Sequence, residues 1–153
     1  MDCMIRPATQ DDAAAISRVV IAALRESNAR DYAPEVISRI EQSFTPQAVA
    51  ALLGTRRVFV ASLHGMPIAT ASLDGEVVRT VFVDPAYQGG GVGRRLMEAL
   101  HAEALNLGMA KLLVPSSLTA ESFYAGLGYR KVRDEFHGAE RTVVMEKTLP
   151  ACG

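Results

Sequence analysis

The chain has 153 residues, of which 49% are hydrophobic and 22% are charged, and its formal net charge at pH 7 is −1. This size and composition predict one compact globular domain, residues 1–153, which buries most of its apolar surface. A net charge near zero argues against a broad nucleic-acid surface and against a polybasic membrane anchor, so we expect small or locally recognised partners.

The N-terminus lacks the charged and apolar blocks of a signal peptide, and no segment of the chain is apolar over a membrane-spanning length. We therefore expect a cytoplasmic protein without a membrane partner. Cys3 and Cys152 lie near opposite ends of the chain and lack metal-ligand spacing. In a reducing compartment both are expected to be free thiols.

The N-terminal third is predicted to form one strand and three helices. Thr9 and Asp12 are typical of the start of a helix, and Pro34 and Pro46 begin two more. The strand covers residues 3–7, and the helices cover residues 9–26, 34–43 and 45–53. We call residues 27–53, a loop followed by the second and third helices, the lid.

Three strands with short connections follow the lid. They cover residues 57–63, 66–73 and 76–83, and the pairs His64-Gly65 and Asp74-Gly75 separate them. An Asp-Gly pair between apolar runs is a strong hairpin signal. The three strands are therefore predicted to form an antiparallel meander.

The C-terminal part is predicted to alternate helices and strands before a closing strand pair. Gly108 ends a helix over residues 91–107. After it we expect a strand at residues 111–114, a short helix at 119–126 and strands at 129–134 and 141–147. A loop over residues 135–138 joins the last two strands.

Four glycines lie between a β-branched strand that ends at Asp84-Pro85 and the helix that begins near residue 91. Glycine allows a ligand to approach the backbone closely, and the free N–H groups of a first helical turn attract anions. No Lys-Ser or Lys-Thr pair follows, so the P-loop pattern GxxxxGK[ST] fails. The dinucleotide pattern GxGxxG is also unlikely, because the glycines read GGGxG and no second parallel strand carries the required acid.

The pattern that fits is QxxGxG, formed by Gln88, Gly91 and Gly93, and it resembles the pyrophosphate loop of the GNAT superfamily of acyl-CoA-dependent N-acetyltransferases. Residues 117–129 are similar to the second signature of that superfamily, [NS]xxAxxFYxxxG[FY]. The resemblance implies an α/β (α+β) fold. Its mixed, mostly antiparallel sheet has six to seven strands, flanked by four to five helices, and a splayed parallel strand pair forms the CoA cleft.

The resemblance also implies where acetyl-CoA binds. Free backbone groups of residues 81–83 would pair with the pantetheine arm across a gap from residues 111–114, and a backbone N–H near Phe82 would donate to the oxyanion. The glycine loop, residues 89–94, would hold the pyrophosphate. The implied cofactor-binding residues are Val81, Phe82, Val83, Gln88, Gly89, Gly90, Gly91, Val92, Gly93, Arg94, Ser117, Ala120 and Tyr124.

Tyr124 occupies the tyrosine of the second signature, which implies that it is the general acid that protonates the CoA sulfur. The alternative is an aromatic side chain that packs against Phe123. Ser117 stands where many relatives have an asparagine that bonds the pantetheine arm, and it could make that contact or only cap the helix.

The general base is where the chain departs from the family pattern. Relatives carry a Glu or His at positions that correspond to Val77 and Arg79, and neither of these can accept a proton. Glu76 is a carboxylate on the same predicted strand, but alternation turns it to the opposite face. The remaining choices are a water relay, which we favour, a carboxylate in or next to the lid, such as Asp31 or Glu26, or a substrate whose amine arrives partly neutral.

Arg79 and Tyr32 are the candidate substrate-binding residues. The guanidinium of Arg79 could hold a substrate carboxylate, or it could form a structural salt bridge to Glu76 or a neighbouring strand. Tyr32 lies in a segment that resembles the lid loop of one group of bacterial GNAT proteins. We expect His64 and His101 to be exposed, and no histidine has metal-ligand spacing, so no metal is expected.

These features together predict an N-acetyltransferase that moves the acetyl group of acetyl-CoA to a primary amine by direct attack within a ternary complex. The acceptor would be a small molecule, an amino acid or a peptide amine. Two alternatives stay open, a non-catalytic acyl-CoA binding module and a protein-modifying acetyltransferase. By analogy with the superfamily, a homodimer could form through an edge strand at residues 141–147.

Overall fold

A computed structural model describes residues 3–150 of the chain. Its seven strands all belong to one sheet. The strands are β1 (Met4–Pro7), β2 (Arg57–Leu63), β3 (Met66–Asp74), β4 (Val77–Val83), β5 (Lys111–Ser116), β6 (Arg130–His137) and β7 (Glu140–Thr148). The helices are α1 (Ala13–Glu26), α2 (Pro34–Glu41), α3 (Pro46–Leu53), α4 (Val92–Asn106) and α5 (Glu121–Gly126).

The strand order across the sheet is β1-β2-β3-β4-β5-β7-β6. Strands β1 to β4 pair antiparallel with their neighbours, and so do β5, β7 and β6. The pair β4 and β5 is parallel. The predicted fold class is confirmed: the sheet is mixed and mostly antiparallel, five helices flank it, and one parallel pair lies near its centre.

Helices cover both faces of the sheet because the strands alternate apolar side chains to both sides. Helix α4 packs on one face, where Leu96, Met97 and Leu100 are completely buried against strand residues such as Ala71. Helices α1, α2 and α3 pack on the other face, where Val20 contacts a second apolar cluster. The sheet therefore separates two cores, and the lid belongs to the core around α1.

A partly buried ion pair holds the start of α1 against β1. Asp12 accepts two hydrogen bonds from the Arg6 guanidinium, at 2.8 and 3.0 Å, and one from the Thr9 N–H at 2.8 Å. The bond from Arg6 is the main reason why the pKa of Asp12 lies below its ordinary value. A short 3-10 turn over Gln10–Asp12 leads from Thr9 into α1, so the predicted helix start is correct to within one turn.

Several predicted boundaries differ from the observed ones. Glu76 lies in the turn between β3 and β4 and is exposed, so the prediction that it belongs to the strand is wrong. Strand β6 continues to His137, because its ladder with β7 extends to the pair His137 and Glu140, so the predicted loop over residues 135–138 shrinks to a tight turn at Gly138. The lid also contains a 3-10 turn at Asn28–Arg30 where a loop was expected.

The predicted edge strand is also wrong. Strand β7, which contains residues 141–147, lies between β5 and β6 and is paired on both sides. The strand at that edge of the sheet is β6, which carries the exposed side chains of Val132 and Phe136. The last hairpin therefore returns its second strand to the inside of the sheet, which the alternation in the sequence does not reveal.

None of the helices within residues 3–150 is long and apolar enough to cross a membrane. Cys3 is buried as a free thiol, in agreement with the expectation for this residue. Cys152 lies outside the described residues.

Candidate functional site

Strands β4 and β5 separate along most of their length. Their register contains one pair, Val77 with Leu113, and the N–H of Leu113 donates to the carbonyl of Glu76 at 2.9 Å. Beyond that pair the strands diverge, and a cleft of about 1030 Å³ occupies the space between them and extends under the lid. The predicted gap between residues 81–83 and 111–114 is therefore present.

A bulge in β4 lies beside this gap. Ser72 of β3 pairs with Arg79, and Thr70 pairs with Phe82, so Thr80 and Val81 together face one residue of β3. Thr80 has φ +55°, which is rare for a β-branched residue and costs of order 1–3 kcal/mol. Because of the extra residue, Arg79 and Thr80 both lie on the lid side of the sheet, whereas strict alternation would turn Thr80 away.

The bulge and the strand pairing determine which backbone groups are free. The N–H of Asp84 donates to Ile68 of β3 at 2.8 Å, so by strand alternation the N–H of Phe82 also points to β3. The N–H and C=O groups of Val81 and Val83 point to the opposite side, toward β5. The N–H of Phe82, the expected oxyanion donor, therefore points into the β3 ladder and away from the cleft.

The glycine loop leads directly into α4. Gly89 and Gly91 have φ values of +85° and +82°, and Gly91 is the N-cap of the helix. The N–H of Arg95 is bonded to the carbonyl of Gly91 at 3.1 Å, so the N–H groups of Val92, Gly93 and Arg94 have no acceptor within the helix. Free N–H groups at a helix N-terminus, together with the helix dipole, attract anions, and these three lie at one end of the cleft.

Gly93 lies where there is little room for a side chain, whereas Gly89 and Gly91 have positive φ values. A Cβ at this position would lie 3.3 Å from the ring of Phe123 on α5 and 3.5 Å from the side chain of Val83. The absence of a side chain therefore lets α4 approach both α5 and the end of β4. This close approach brings the two sequence signatures to opposite walls of one cleft.

Two polar side chains hold the segment before the glycine loop. The amide nitrogen of Gln88 donates to the carbonyl of Val83 at 3.1 Å and to the hydroxyl of Ser27 at 3.0 Å. The carboxylate of Asp84 accepts from the N–H of Ala86 at 2.9 Å. Gln88 thus ties the loop to β4 and to the end of α1, and it confirms that the C=O of Val83 points away from β3.

Tyr124 of α5 is 4% exposed and lines the cleft. Its ring packs edge-to-face against Phe123 and Tyr129, with centroids 5.2 and 5.6 Å away, so the packing alternative is correct for the ring. Within residues 3–150 its hydroxyl makes no hydrogen bond, and no completely buried side-chain polar atom there lacks a partner. The hydroxyl must therefore keep access to the cleft. Burial raises the pKa of Tyr124 well above its ordinary value, so the phenol carries its proton.

The segment before α5 completes the opposite wall. The hydroxyl of Ser117 accepts from the N–H of Ala120 at 3.2 Å, which is the capping interaction, and both residues also line the cleft. Twelve of the thirteen expected cofactor-binding residues line it together. Gly90 is in the glycine loop but does not line the cleft.

Tyr32 is the centre of a clamp between the lid and the sheet. Its hydroxyl donates to the carbonyl of Arg141 on β7 at 2.6 Å and accepts from the N–H of Leu118 at 2.9 Å. Burial raises the pKa of Tyr32, so the hydroxyl keeps its proton and can make both bonds. The residue also lines the cleft, next to the lid side chains Ile40 and Phe44.

Two arginines line the cleft near the point where β4 and β5 separate. Arg79 donates from Nε to the carboxylate of Asp74 at 3.2 Å, so the salt-bridge alternative is correct, with a partner on the neighbouring strand β3. Arg56, which the sequence did not single out, donates to Thr80 Oγ1 at 3.2 Å and lies 3.9 Å from the same carboxylate. It lies between α3 and β2, with no motif to mark it.

Within residues 3–150 no carboxylate that lines the cleft is unpaired, but His137, at the end of β6, also lines it, and its imidazole makes no hydrogen bond to those residues. Glu26 and Asp31 do not line it, and Asp31 accepts instead from the hydroxyl of Thr119 at 2.7 Å. Glu135 and Glu140 line the cleft, but each is paired with an arginine, at 2.9 and 3.0 Å. Sequence reasoning missed these two glutamates because β6 and β7 bring them under the lid only through tertiary structure.

The remaining titratable groups do not form a metal centre. Within residues 3–150 no group of three or more His, Cys, Asp or Glu side chains is close enough to hold a metal ion. His101 is partly buried, contrary to the expectation of an exposed residue, because its Nε2 is 2.9 Å from the hydroxyl of Tyr129. His64 lies exposed in a turn, as expected.

Comparison with known proteins gives a consistent result. Residues 28–149 match the family model described as an acetyltransferase (GNAT) domain. A GCN5-related N-acetyltransferase from Rhodopseudomonas palustris is 28% identical, with a TM-score of 0.92 over 97% of each chain. No curated protein sequence matches the chain significantly.

Two further similar structures were solved with coenzyme A or acetyl-CoA bound. The PaiA N-acetyltransferase from Thermoplasma acidophilum, solved in complex with coenzyme A, is 17% identical with a TM-score of 0.83 over 97% of this chain and 99% of that one. The protein yncA from Salmonella typhimurium, solved with acetyl-CoA, is 24% identical with a TM-score of 0.65 over 97% and 94% of the two chains.

Proposed function

The chain belongs to the GNAT family of acetyltransferases and is an acetyl-CoA-dependent acyltransferase. From that premise we propose that it moves the acetyl group of acetyl-CoA to a primary amine by direct attack within a ternary complex. The observation that carries this proposal is the geometry of one cleft, in which the glycine loop, the free edge of β4 and Tyr124 face the same space. The acceptor is a small molecule, an amino acid or a peptide amine.

The residues of the cleft fit coenzyme A. The free N–H groups of Val92, Gly93 and Arg94 would hold its pyrophosphate, and the gap beside Val81 and Val83 leaves backbone groups for the two amides of its pantetheine arm. CoA and acetyl-CoA in the structures of PaiA and yncA support this assignment. When bound, the cofactor supplies an acetyl group activated as a thioester.

We assign the oxyanion donor to the N–H of Val81, next to the expected Phe82. The bulge places Val81 at the free edge of β4, and its side chain packs on the α4 side together with that of Val83, as a regular strand requires. A preorganised backbone N–H aimed at developing negative charge contributes on the order of 10²–10³ in rate. The strained φ of Thr80 keeps this N–H in place before any substrate arrives.

Tyr124 is the proposed general acid. Its proton is retained over the physiological range because burial raises its pKa, and its hydroxyl has no competing acceptor within residues 3–150. A phenol that faces the cleft can give its proton to the thiolate sulfur that leaves when the acetyl group moves. Ser117 and Ala120, in the preceding turn, set the position of α5 and hence of this hydroxyl.

We propose that a chain of water molecules accepts the proton of the incoming amine. An alkyl amine with a pKa near 10.4 must lose a proton before attack, which costs about 4 to 5 kcal/mol at neutral pH. The carboxylates that line the cleft are already paired with arginines. Arg79 and the aromatic ring of Tyr32 are the proposed substrate contacts, since the hydroxyl of Tyr32 is engaged on both sides.

The arginine partners of both carboxylates that line the cleft within residues 3–150 favour one competing function, a non-catalytic acyl-CoA binding module, whereas the unpaired imidazole of His137 favours an enzyme. A protein-modifying acetyltransferase is the other alternative. We further propose that residues 1–153 form one acetyltransferase domain, that the protein is cytoplasmic, and that it forms a homodimer, as is frequent in the superfamily.

The test combines cofactor binding with turnover. Calorimetry with acetyl-CoA and with acetyl-pantetheine, which lacks the pyrophosphate, measures the contribution of the glycine loop, and we expect the truncated thioester to bind at least about tenfold more weakly. Release of free CoA is then followed across amino acids, polyamines, aminoglycosides and short peptides. Cofactor binding without turnover of any amine favours the binding module or a protein acceptor. Failure to bind acetyl-CoA contradicts the assignment of the glycine loop.

A further inference from the structure

We propose that Arg56 and Arg79 form an anion subsite for the acceptor, so that the preferred substrates are small amines that also carry a carboxylate, such as amino acids. This inference rests on the proposed acetyl transfer and narrows its substrate class. It depends on three observations: the arrangement of the two guanidinium groups, their unused hydrogen-bonding capacity and their position along β4.

The two guanidinium groups share one carboxylate. Asp74 accepts from Arg79 Nε at 3.2 Å and lies 3.9 Å from Arg56 Nε, so the cluster carries one positive charge in excess. No ion pair within residues 3–150 joins Glu76 to either arginine, although it lies close in sequence. Both arginines line the cleft, whereas Asp74 does not, so the charge that remains uncompensated borders the cleft.

Most of the N–H donors of this cluster are free. A guanidinium has five donors, and within residues 3–150 Arg79 uses one for Asp74 and Arg56 uses one for Thr80 Oγ1. The side chain of Arg56 is 18% exposed, and burial lowers its pKa from the ordinary arginine value. A cation with few partners and little water gains most from an incoming anion, and the planar fork of arginine matches a carboxylate in two-point contacts.

The position of the subsite fits a small bifunctional substrate. Arg79 lies two residues before Val81, the proposed oxyanion donor, so their backbones are separated by at most about 7 Å. The glycine loop at the other end of β4 holds the anionic part of the cofactor. An acceptor whose anion is bound at Arg56 and Arg79 therefore presents its amine from the end of the cleft opposite to the pyrophosphate.

Thr80 links the subsite to the catalytic backbone. Its hydroxyl accepts from Arg56, and its strained backbone belongs to the bulge that aims the N–H of Val81. A substrate anion at Arg56 is thereby bound to the same rigid segment that stabilises the reaction. The side chain of Arg56, which precedes β2, thus contacts the bulge of β4 directly.

The experiment compares amines that have a carboxylate with matched amines in which the carboxylate is neutralised as an amide or removed. Release of CoA is measured for several amino acids, their amides and the corresponding decarboxylated amines, with wild type, Arg56→Gln and Arg79→Gln. The matched control is Arg57→Gln, because Arg57 is 56% exposed, pairs with Glu103 at 3.1 Å and does not line the cleft. Calorimetry of N-acetyl amino acids and their amides, in the presence of CoA, gives a second readout that needs no turnover.

We expect wild type to prefer the acids over the amides, and each cleft variant to lower that preference about ten- to a hundredfold without a change in acetyl-CoA affinity. Arg57→Gln should leave the preference unchanged. If Arg56→Gln does not fold, the more exposed Arg79→Gln still decides the question. Equal use of acids and amides, or no tighter binding of the acids in either measurement, overturns the subsite even if acetyl transfer is retained. Loss of acetyl-CoA binding in wild type would instead refute the proposed function itself.

Discussion

Replacement of Tyr124 by phenylalanine tests whether the hydroxyl of this residue contributes to catalysis or to the stability of the fold. The ring of Tyr124 packs against Phe123 and Tyr129, and phenylalanine preserves these contacts. The hydroxyl makes no hydrogen bond within residues 3–150, so its removal leaves no buried partner unsatisfied. We therefore expect the free energy of unfolding of Tyr124→Phe to stay within about 0.5 kcal/mol of wild type.

The expected effect on turnover is much larger. A positioned general acid contributes on the order of 10²–10⁴ in rate, so kcat should fall at least about a hundredfold, which corresponds to about 2.7 kcal/mol of barrier. Because burial raises the pKa of Tyr124, the phenol should stay protonated to at least pH 9, and kcat should show no loss of this acid below that pH. Acetyl-CoA affinity by calorimetry should not change.

Tyr129→Phe is the matched control. This tyrosine is also buried and aromatic, but its hydroxyl is bonded to His101 at 2.9 Å. The control should lose about 1 kcal/mol of stability and less than about tenfold in kcat, the reverse of the pattern for Tyr124. If Tyr124→Phe keeps kcat within threefold of wild type, Tyr124 is not the acid; if it loses stability instead, its hydroxyl has a structural partner.

Three further predictions follow from single contacts. Gly91→Ala should cost about 1–2 kcal/mol of stability because the residue has φ +82°. It should also weaken acetyl-CoA binding about tenfold, because the added Cβ enters open space at the cleft. The control Gly65→Ala, with φ +81° in a distant turn, should show the same stability loss in denaturant titrations but no loss of acetyl-CoA affinity. Asp12→Asn should lower the free energy of unfolding by about 2 kcal/mol at pH 7. Since Arg6 lowers the pKa of Asp12, this stability difference from wild type should persist above the ordinary pKa near 4 and vanish as the pH falls through the lower pKa of the folded state. A constant stability difference from pH 7 to pH 2 would contradict this. Tyr32→Phe should cost about 2–3 kcal/mol in thermal or denaturant unfolding because two backbone partners lose their bonds, and an unchanged midpoint would refute the clamp.

Much of the fold could be predicted from the sequence because its signals are local. The hairpin at Asp74-Gly75, the prolines at the starts of α2 and α3 and the glycine after α4 all appear in the structure within a few residues of the expected positions. The two signatures correctly placed the glycine loop and α5 on one cleft. These features depend on backbone conformation and on short stretches of side chains, which a sequence displays directly.

The errors concern long-range order and side-chain partners. The alternation of β7 is the same whether the strand is central or at an edge, so its position between β5 and β6 was not predictable from its residues. Arg56 joins the cleft only because β2 and the β4 bulge are neighbours through β3. For Arg79 the sequence left two sources for the partner open, Glu76 or a neighbouring strand, and only the structure identifies Asp74 of β3.

The Tyr32 clamp gives the lid a built-in reporter of its motion. The amide hydrogen of Leu118 is bonded to a side chain of the lid and not to a strand or helix, so it can exchange with solvent deuterium only when Tyr32 lifts away. Its exchange rate therefore measures how often Tyr32 separates from the segment that precedes α5. In Tyr32→Phe that single amide should exchange quickly while neighbouring strand amides stay protected, so one peptide segment reports the opening of this contact.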